Sequence, residues 1–118
     1  MKEFVLLFRM DLMNASAQPS KEQMEVYMQQ WMSWINDIAH NNQLADGGNH
    51  FSRKGRVLKP NNEVVETPHI ADENSIAGYI IILAKNMDEA TIIAKKCPIL
   101  NGENTSVEIR ETATPYKK

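Results

Sequence analysis

Gly78-Tyr79-Ile80-Ile81-Ile82-Leu83 is apolar at every position after its glycine, and Phe4-Val5-Leu6-Leu7-Phe8 is apolar throughout. A strand with one wet face alternates apolar and polar residues, whereas a strand covered on both faces does not. The rest of the chain offers only two helical stretches to cover such strands. Two helices blanket one face of a small sheet. The other face must meet something else, most simply a second copy of the chain.

The first helix is announced by Ser20 with Gln23 three residues on, the capping-box spacing. Behind it Met24, Tyr27, Met28, Trp31, Ile35 and Ile38 form one apolar stripe that ends near His40. Met32 and Trp34 widen this stripe beyond a single contact surface, which predicts that part of the helix lies at a subunit interface. Asn86 and Glu89 repeat the cap spacing before a second helix, whose apolar face is Ala90, Ile93, Ala94 and Cys97. Pro98 ends it, because proline disfavours helix in the residue before it. Ser106-Val107-Glu108-Ile109-Arg110-Glu111 alternates strictly and predicts a strand with one wet face near a sheet edge.

Between the helices the signals are shorter. A polar stretch, Asn14 to Pro19, follows the first strand. Asp46-Gly47-Gly48-Asn49 reads as a turn cluster and His50-Phe51-Ser52 as the start of a second strand. Arg53-Lys54-Gly55 reads as a turn, Arg56-Val57-Leu58 as a short strand, Pro60-Asn61-Asn62 as a turn, and Val64-Val65 as a strand fragment. This middle region reads as a small irregular β-meander. Residues 66–75 read as an exposed loop, and the tail Pro115-Tyr116-Lys117-Lys118 as a frayed end. The order β-α-β-β-β-α-β suits an α+β ferredoxin-like sandwich, with an antiparallel sheet and both helices on one face. The 118 residues fit one domain, 1–118.

Composition narrows the function classes. A formal net charge of −2 argues against a nucleic-acid-binding surface. Cys97 is the single cysteine, so no intrachain disulfide forms, and a cytoplasmic, reducing setting is expected. The first apolar run stops at Arg9, too short for a signal peptide, and no run is long enough to span a membrane. Walker, Rossmann, HExxH and CxxC patterns are absent, and no cofactor is implied.

The stretches Gly78-Tyr79-Ile80-Ile81, Met87-Asp88-Glu89-Ala90, Cys97-Pro98-Ile99-Leu100 and Val107-Glu108-Ile109-Arg110 together look familiar. Met1-Lys2-Glu3-Phe4, Gly48-Asn49 and Val57-Leu58-Lys59-Pro60 add to them. In their order and spacing the chain resembles the YCII-related family, in its DGPF-type branch, over nearly its whole length. The resemblance implies a ferredoxin-like subunit that dimerises through its open sheet face, in a dimeric α/β-barrel type assembly. It also implies a function of unsettled kind. Some members look like small enzymes with a His–Asp pair, and others are linked with alternative sigma factors of bacterial transcription. Where the branch reads Asp-Gly-Pro-Phe or Asp-Gly-Pro-Tyr, this chain reads Glu66-Thr67-Pro68-His69, and only the proline matches. The acidic position before the proline ending helix two is Cys97 here. The His–Asp chemistry of those relatives is therefore not carried over.

The candidate residues are few. His40 falls at the end of helix one, where an imidazole interacts favourably with the helix dipole. His50 and His69 are candidates for one cleft at the end of the sheet. His69, oriented by Glu66 or Asp72, is a candidate general base. A metal held by His50, His69 and Asp72 lacks supporting ligand spacing, so no metal site is assigned. Arg9 and Arg110 are candidates for binding a ligand carboxylate or phosphate through the planar guanidinium. A pocket is expected between the sheet end and the 66–75 loop. Two readings remain open. In the first the protein is a small homodimeric module that binds a small molecule or a protein partner, for which the family resemblance implies a link to transcription control. In the second it is a small enzyme using His69 with Glu66 or Asp72 in acid–base chemistry.

Overall fold

In the computed structural model of the chain, which describes residues 1–12 and 20–114, the two apolar runs lie side by side. The Asn14–Pro19 stretch and the tail from Pro115 fall outside the described residues. The elements are β1 (Lys2–Met10), α1 (Lys21–His40), β2 (Leu44–His50), β3 (Val57–Lys59), β4 (Glu63–Val65), β5 (Ser75–Ala84), α2 (Met87–Ala94), a short 3-10 helix (Pro98–Asn101) and β6 (Ser106–Glu111). β1 and β5 pair antiparallel from Lys2 opposite Ala84 to Met10 opposite Ser75. β6 joins the free side of β1 and β2 the free side of β5, giving the order β2-β5-β1-β6, all antiparallel. The architecture is α+β, and its topology is compatible with a ferredoxin-like fold.

Because side chains alternate along a strand, the register sorts them onto two faces. Phe4, Leu6, Phe8, Ile80, Ile82 and Ala84 share one face and are at most 2% exposed. Trp31, Trp34 and Ile38 of α1, Ala90 and Ala94 of α2, and Cys97 and Ile99 beyond it cover them. Phe8 is the hub of the core. Its ring meets Trp31 edge-on at 4.8 Å and Trp34 at 6.0 Å, and the two indoles meet each other at 5.4 Å. Such edge-to-face pairs each add about 0.5–1.5 kcal/mol beyond area burial. Trp34 also donates its indole N–H to Ile93 O at 3.0 Å, tying α1 to α2. It is thus packed within its own subunit, contrary to the expected interface role; of that pair only Met32, 52% exposed, stays on the outer surface.

Both helix starts follow the sequence. Ser20 Oγ accepts from Gln23 N–H while Gln23 Oε1 accepts from Ser20 N–H, a complete capping box. Asn86 Oδ1 accepts from Glu89 N–H, but Glu89 reaches back to Lys85 N–H rather than to that of Asn86. Glu89 also accepts from Gln43 Nε2, which donates in addition to Leu83 O. This side chain fastens the exit of α1 to β5 and to the start of α2. The helix α2 ends at Ala94, so Cys97 lies beyond it, as the residue preceding the 3-10 helix.

The middle of the chain departs from the expected meander. Asp46-Gly47-Gly48-Asn49 is not a free turn but the bulged centre of β2, which ends at His50. Turn-type residues serve here because Gly48 has φ +64° and β2 approaches β5 too closely for any side chain. β3 and β4 form a separate two-stranded hairpin, turned by Asn61 and Asn62 at φ +65° and +63°. Asparagine tolerates that left-handed region better than most residues. β5 begins at Ser75, earlier than Gly78, and passes a bulge opposite Phe8 and Arg9. The 66–75 segment is not wholly a loop: Ala71 and Asn74 exchange backbone hydrogen bonds around Asp72 and Glu73, both with positive φ. Asn74 donates its amide to Asn104 O and Asn104 donates to Asp72 O, so this turn is clamped to the loop before β6.

Candidate functional site

The face of the sheet away from the helices carries Val5, Leu7, Tyr79, Ile81 and Leu83, all partly exposed. The molecule is only 20 Å thick along its shortest axis, the depth of one sheet and one helix layer. Among the described residues both helices pack on the other face. An apolar strip of this kind, framed by charged residues, has the character of an interaction surface.

The strand register carries Glu108 and Arg110 of β6 onto this face, level with Leu7 and Val5. Arg9 of β1 joins them. Its Nη2 is 3.5 Å from Glu108 Oε1, and Arg110 Nη1 is 3.3 Å from Glu108 Oε2. The two arginines named from sequence therefore converge on one carboxylate, and the cluster is left with one excess positive charge. Glu108 was not singled out by sequence reasoning, although the two-residue spacing from Arg110 in an alternating strand is the signal that places both on one face.

Among the described residues no contact joins the histidines to one another. His50, level with Gly78, packs its ring against Trp31 at 5.6 Å. His69 is exposed beside Pro68 in the 66–70 segment. The carboxylate of Glu66 is engaged by Arg56 Nε at 2.7 Å, and Asp72 lies in the clamped turn. Among the described residues no hydrogen bond or ion pair joins His69 to Glu66 or Asp72, and no ring contact joins it to His50. No group of three or more His, Cys, Asp or Glu able to hold a metal occurs among the described residues. His40 occupies the last turn of α1 as expected.

A concavity that the sequence did not announce lies on the helix layer. A groove of about 890 Å³ runs between α1 and the segment from α2 to the 3-10 helix, on the helix layer. Trp34, Ile93 and Cys97 line it, and Asp37, Gln43, Glu89, Lys95 and Lys96 supply polar groups. Sequence reasoning missed it because a groove between two helices depends on their separation. The available signal was Ile92, an apolar residue off the buried stripe of α2 and 59% exposed. Cys97 brings no nucleophile to the groove: burial pushes its thiol up to about 12, so it stays protonated at neutral pH. Burial likewise pushes the Tyr27 hydroxyl up to about 12, with the neighbouring Cys97 sulfur adding to the effect.

These shifts have a sign. Raised folded-state values mean that the folded chain holds protons which the unfolded chain has lost. Stability is full below the ordinary thiol value of 9.0 and falls as pH rises from there toward about 12. In urea titrations the wild-type midpoint is expected to decline across that window, and Cys97→Ala to decline less. Equal slopes would refute the assignment. At pH 8 the native thiol is expected to resist a disulfide reagent until urea unfolds the chain.

No family model matches the chain, and no curated protein matches it. Among the described residues no helix is long and apolar enough to cross a membrane.

Proposed function

We propose that the protein is a homodimeric binding or regulatory module of the YCII-related kind, acting without catalysis, in the cytoplasm. Its open sheet face joins two copies, as packed sheets or as a barrel-like assembly, and its ligand is a small molecule or a protein partner. The observation that carries this reading is the apolar strip of Val5, Leu7, Tyr79, Ile81 and Leu83, partly exposed and, among the described residues, covered by neither helix, with only the Phe51 ring set against Tyr79. Face-to-face packing of two such sheets buries both strips at a spacing of about 10 Å. The family assignment rests on the residues quoted from the sequence, and the observed strand order is compatible with it. The non-catalytic reading is supported by the engagement of Glu66 with Arg56 and, among the described residues, by the lack of any hydrogen bond or ion pair from His69 to Glu66 or Asp72. For a small molecule the groove between α1 and α2 is of suitable size, since ligand pockets span about 300–1,000 Å³.

Sedimentation equilibrium at micromolar concentration tests the dimer. A dimer is expected; a stable monomer overturns the reading. Ile81→Asp sets a charge at the centre of the strip and is expected to weaken the dimer by about a hundredfold or more, as loss of a central anchor does. Its circular dichroism should remain that of the wild type. Native mass spectrometry of freshly purified protein reports any retained small molecule in the same experiment.

A further inference from the structure

In the proposed homodimer, on which this inference rests, two sheets stacked with their strands aligned are related by a two-fold axis in one of two ways. With the axis along the strands, β2 of one copy lies over β6 of the other. With the axis across the strands, β2 lies over β2 and β6 over β6.

The open face is not symmetric in charge. Asp46 on β2, Ile81 on β5, Val5 on β1 and Arg110 on β6 are level with one another across the sheet. The acidic residue stands at one edge. The cluster of Arg9, Glu108 and Arg110, with its one excess positive charge, stands at the other. Glu3, half-buried and level with Leu83, lies near the end of the sheet, off the level that Asp46 and Arg110 share. Asp46 accepts from Gly48 N–H through Oδ1 and keeps a second oxygen for another partner. Arg110 is 68% exposed and bonds Glu108 through one nitrogen only. Within one chain the two edges are three strand spacings apart, about 14 Å. That exceeds the screening length of about 8 Å at physiological salt, so Asp46 and Arg110 of one copy barely interact.

Stacking across the strands sets acid against acid at one edge and the positive clusters against each other at the opposite edge. Stacking along the strands sets each acid against a positive cluster and the apolar strip against itself. Like charges face to face are costly, and opposite charges fix register. We infer that the two-fold axis of the dimer runs along the strands, so that Asp46 of each protomer pairs with the partner's Arg110 at both edges of the apolar strip.

A double-mutant cycle on dimer dissociation tests this orientation. Asp46→Asn keeps the acceptor for Gly48 N–H and removes only the charge. Arg110→Glu alone is expected to raise the dissociation constant about a hundredfold, by placing like charges at both edges. In the Asp46→Asn background the same change is expected to cost about tenfold or less, because the opposing charge is gone. Repulsion between position 110 and Glu108 of the same chain is common to both backgrounds and cancels. Arg110→Gln, a milder variant that retains the fold, should show the same dependence on background. An equal penalty in both backgrounds, from a wild type that does dimerise, overturns the orientation alone. A wild type that is monomeric at micromolar concentration, as when a different protein covers the face, overturns the dimer and this inference with it.

Discussion

Gly48→Ala is expected to destabilise the protein by about 4 kcal/mol or more, placing it among the most damaging single substitutions. A Cβ built at Gly48 falls 1.6 Å from Tyr79 O and 2.6 Å from its carbonyl carbon. Both atoms belong to the backbone of a buried strand, so neither can step aside as a flexible side chain would. The residue also has φ +64°, where an alanine costs about 1–2 kcal/mol before any clash is counted. Relief requires β2 to move away from β5, which gives up the hydrogen bonds between them and exposes the core beneath Leu44. Gly47→Ala is the control. It has nothing within 4 Å and no positive φ, so its effect should stay within about 0.5 kcal/mol, as at ordinary surface sites. Urea unfolding of the pair checks the contrast. A Gly48→Ala protein within about 1 kcal/mol of wild type would show that β2 is not held against β5 at this point.

Phe8→Ala comes second, at about 3–5 kcal/mol. Phe8 is 2% exposed and touches both tryptophans edge-on, so truncation removes the transfer energy of its ring and leaves a cavity that two rigid indoles cannot fill. With a whole-domain stability of about 5–15 kcal/mol, such a loss brings the chain near its unfolding threshold. The substitution carries its own reporter: Trp31 and Trp34 lose a neighbour, and their native emission should shift. Phe8→Leu keeps much of the volume and should cost less. A Phe8→Ala midpoint equal to wild type, with unchanged tryptophan emission, would remove Phe8 from the centre of the core.

The departures from expectation share a cause. The Asp46–Asn49 stretch reads as a turn because Asp, Gly and Asn are turn residues by local preference. In the structure the same freedom serves a bulged edge strand pressed against β5, and Gly78 grants the matching clearance, since a Cβ there would lie 2.5 Å from Asn49 O. Trp34 looks surplus to the helical stripe when the stripe is measured against a sheet alone. α2 supplies a second contact, the carbonyl of Ile93, and widens the buried arc of α1. The site was less legible than the fold. Arg9 and Arg110 stand far apart in the chain, and their meeting on Glu108 follows from which strands are neighbours. His50 and His69 have no spacing that ties them, and among the described residues no hydrogen bond or ion pair joins either to a carboxylate.

The features legible in the chain alone are periodic and local: two strands apolar on both faces, two capped helices with their buried stripes, and an alternating edge strand. Hydrophobic periodicity and capping act over a few residues, so they are written in short windows of chain. Tertiary packing alone set the strand order β2-β5-β1-β6, the seating of Trp31 and Trp34 on Phe8, the groove between the helices, and the gathering of charge at one edge of the open face. Each of these depends on contacts between residues far apart in the chain, and no local preference specifies which distant partner a given face will find.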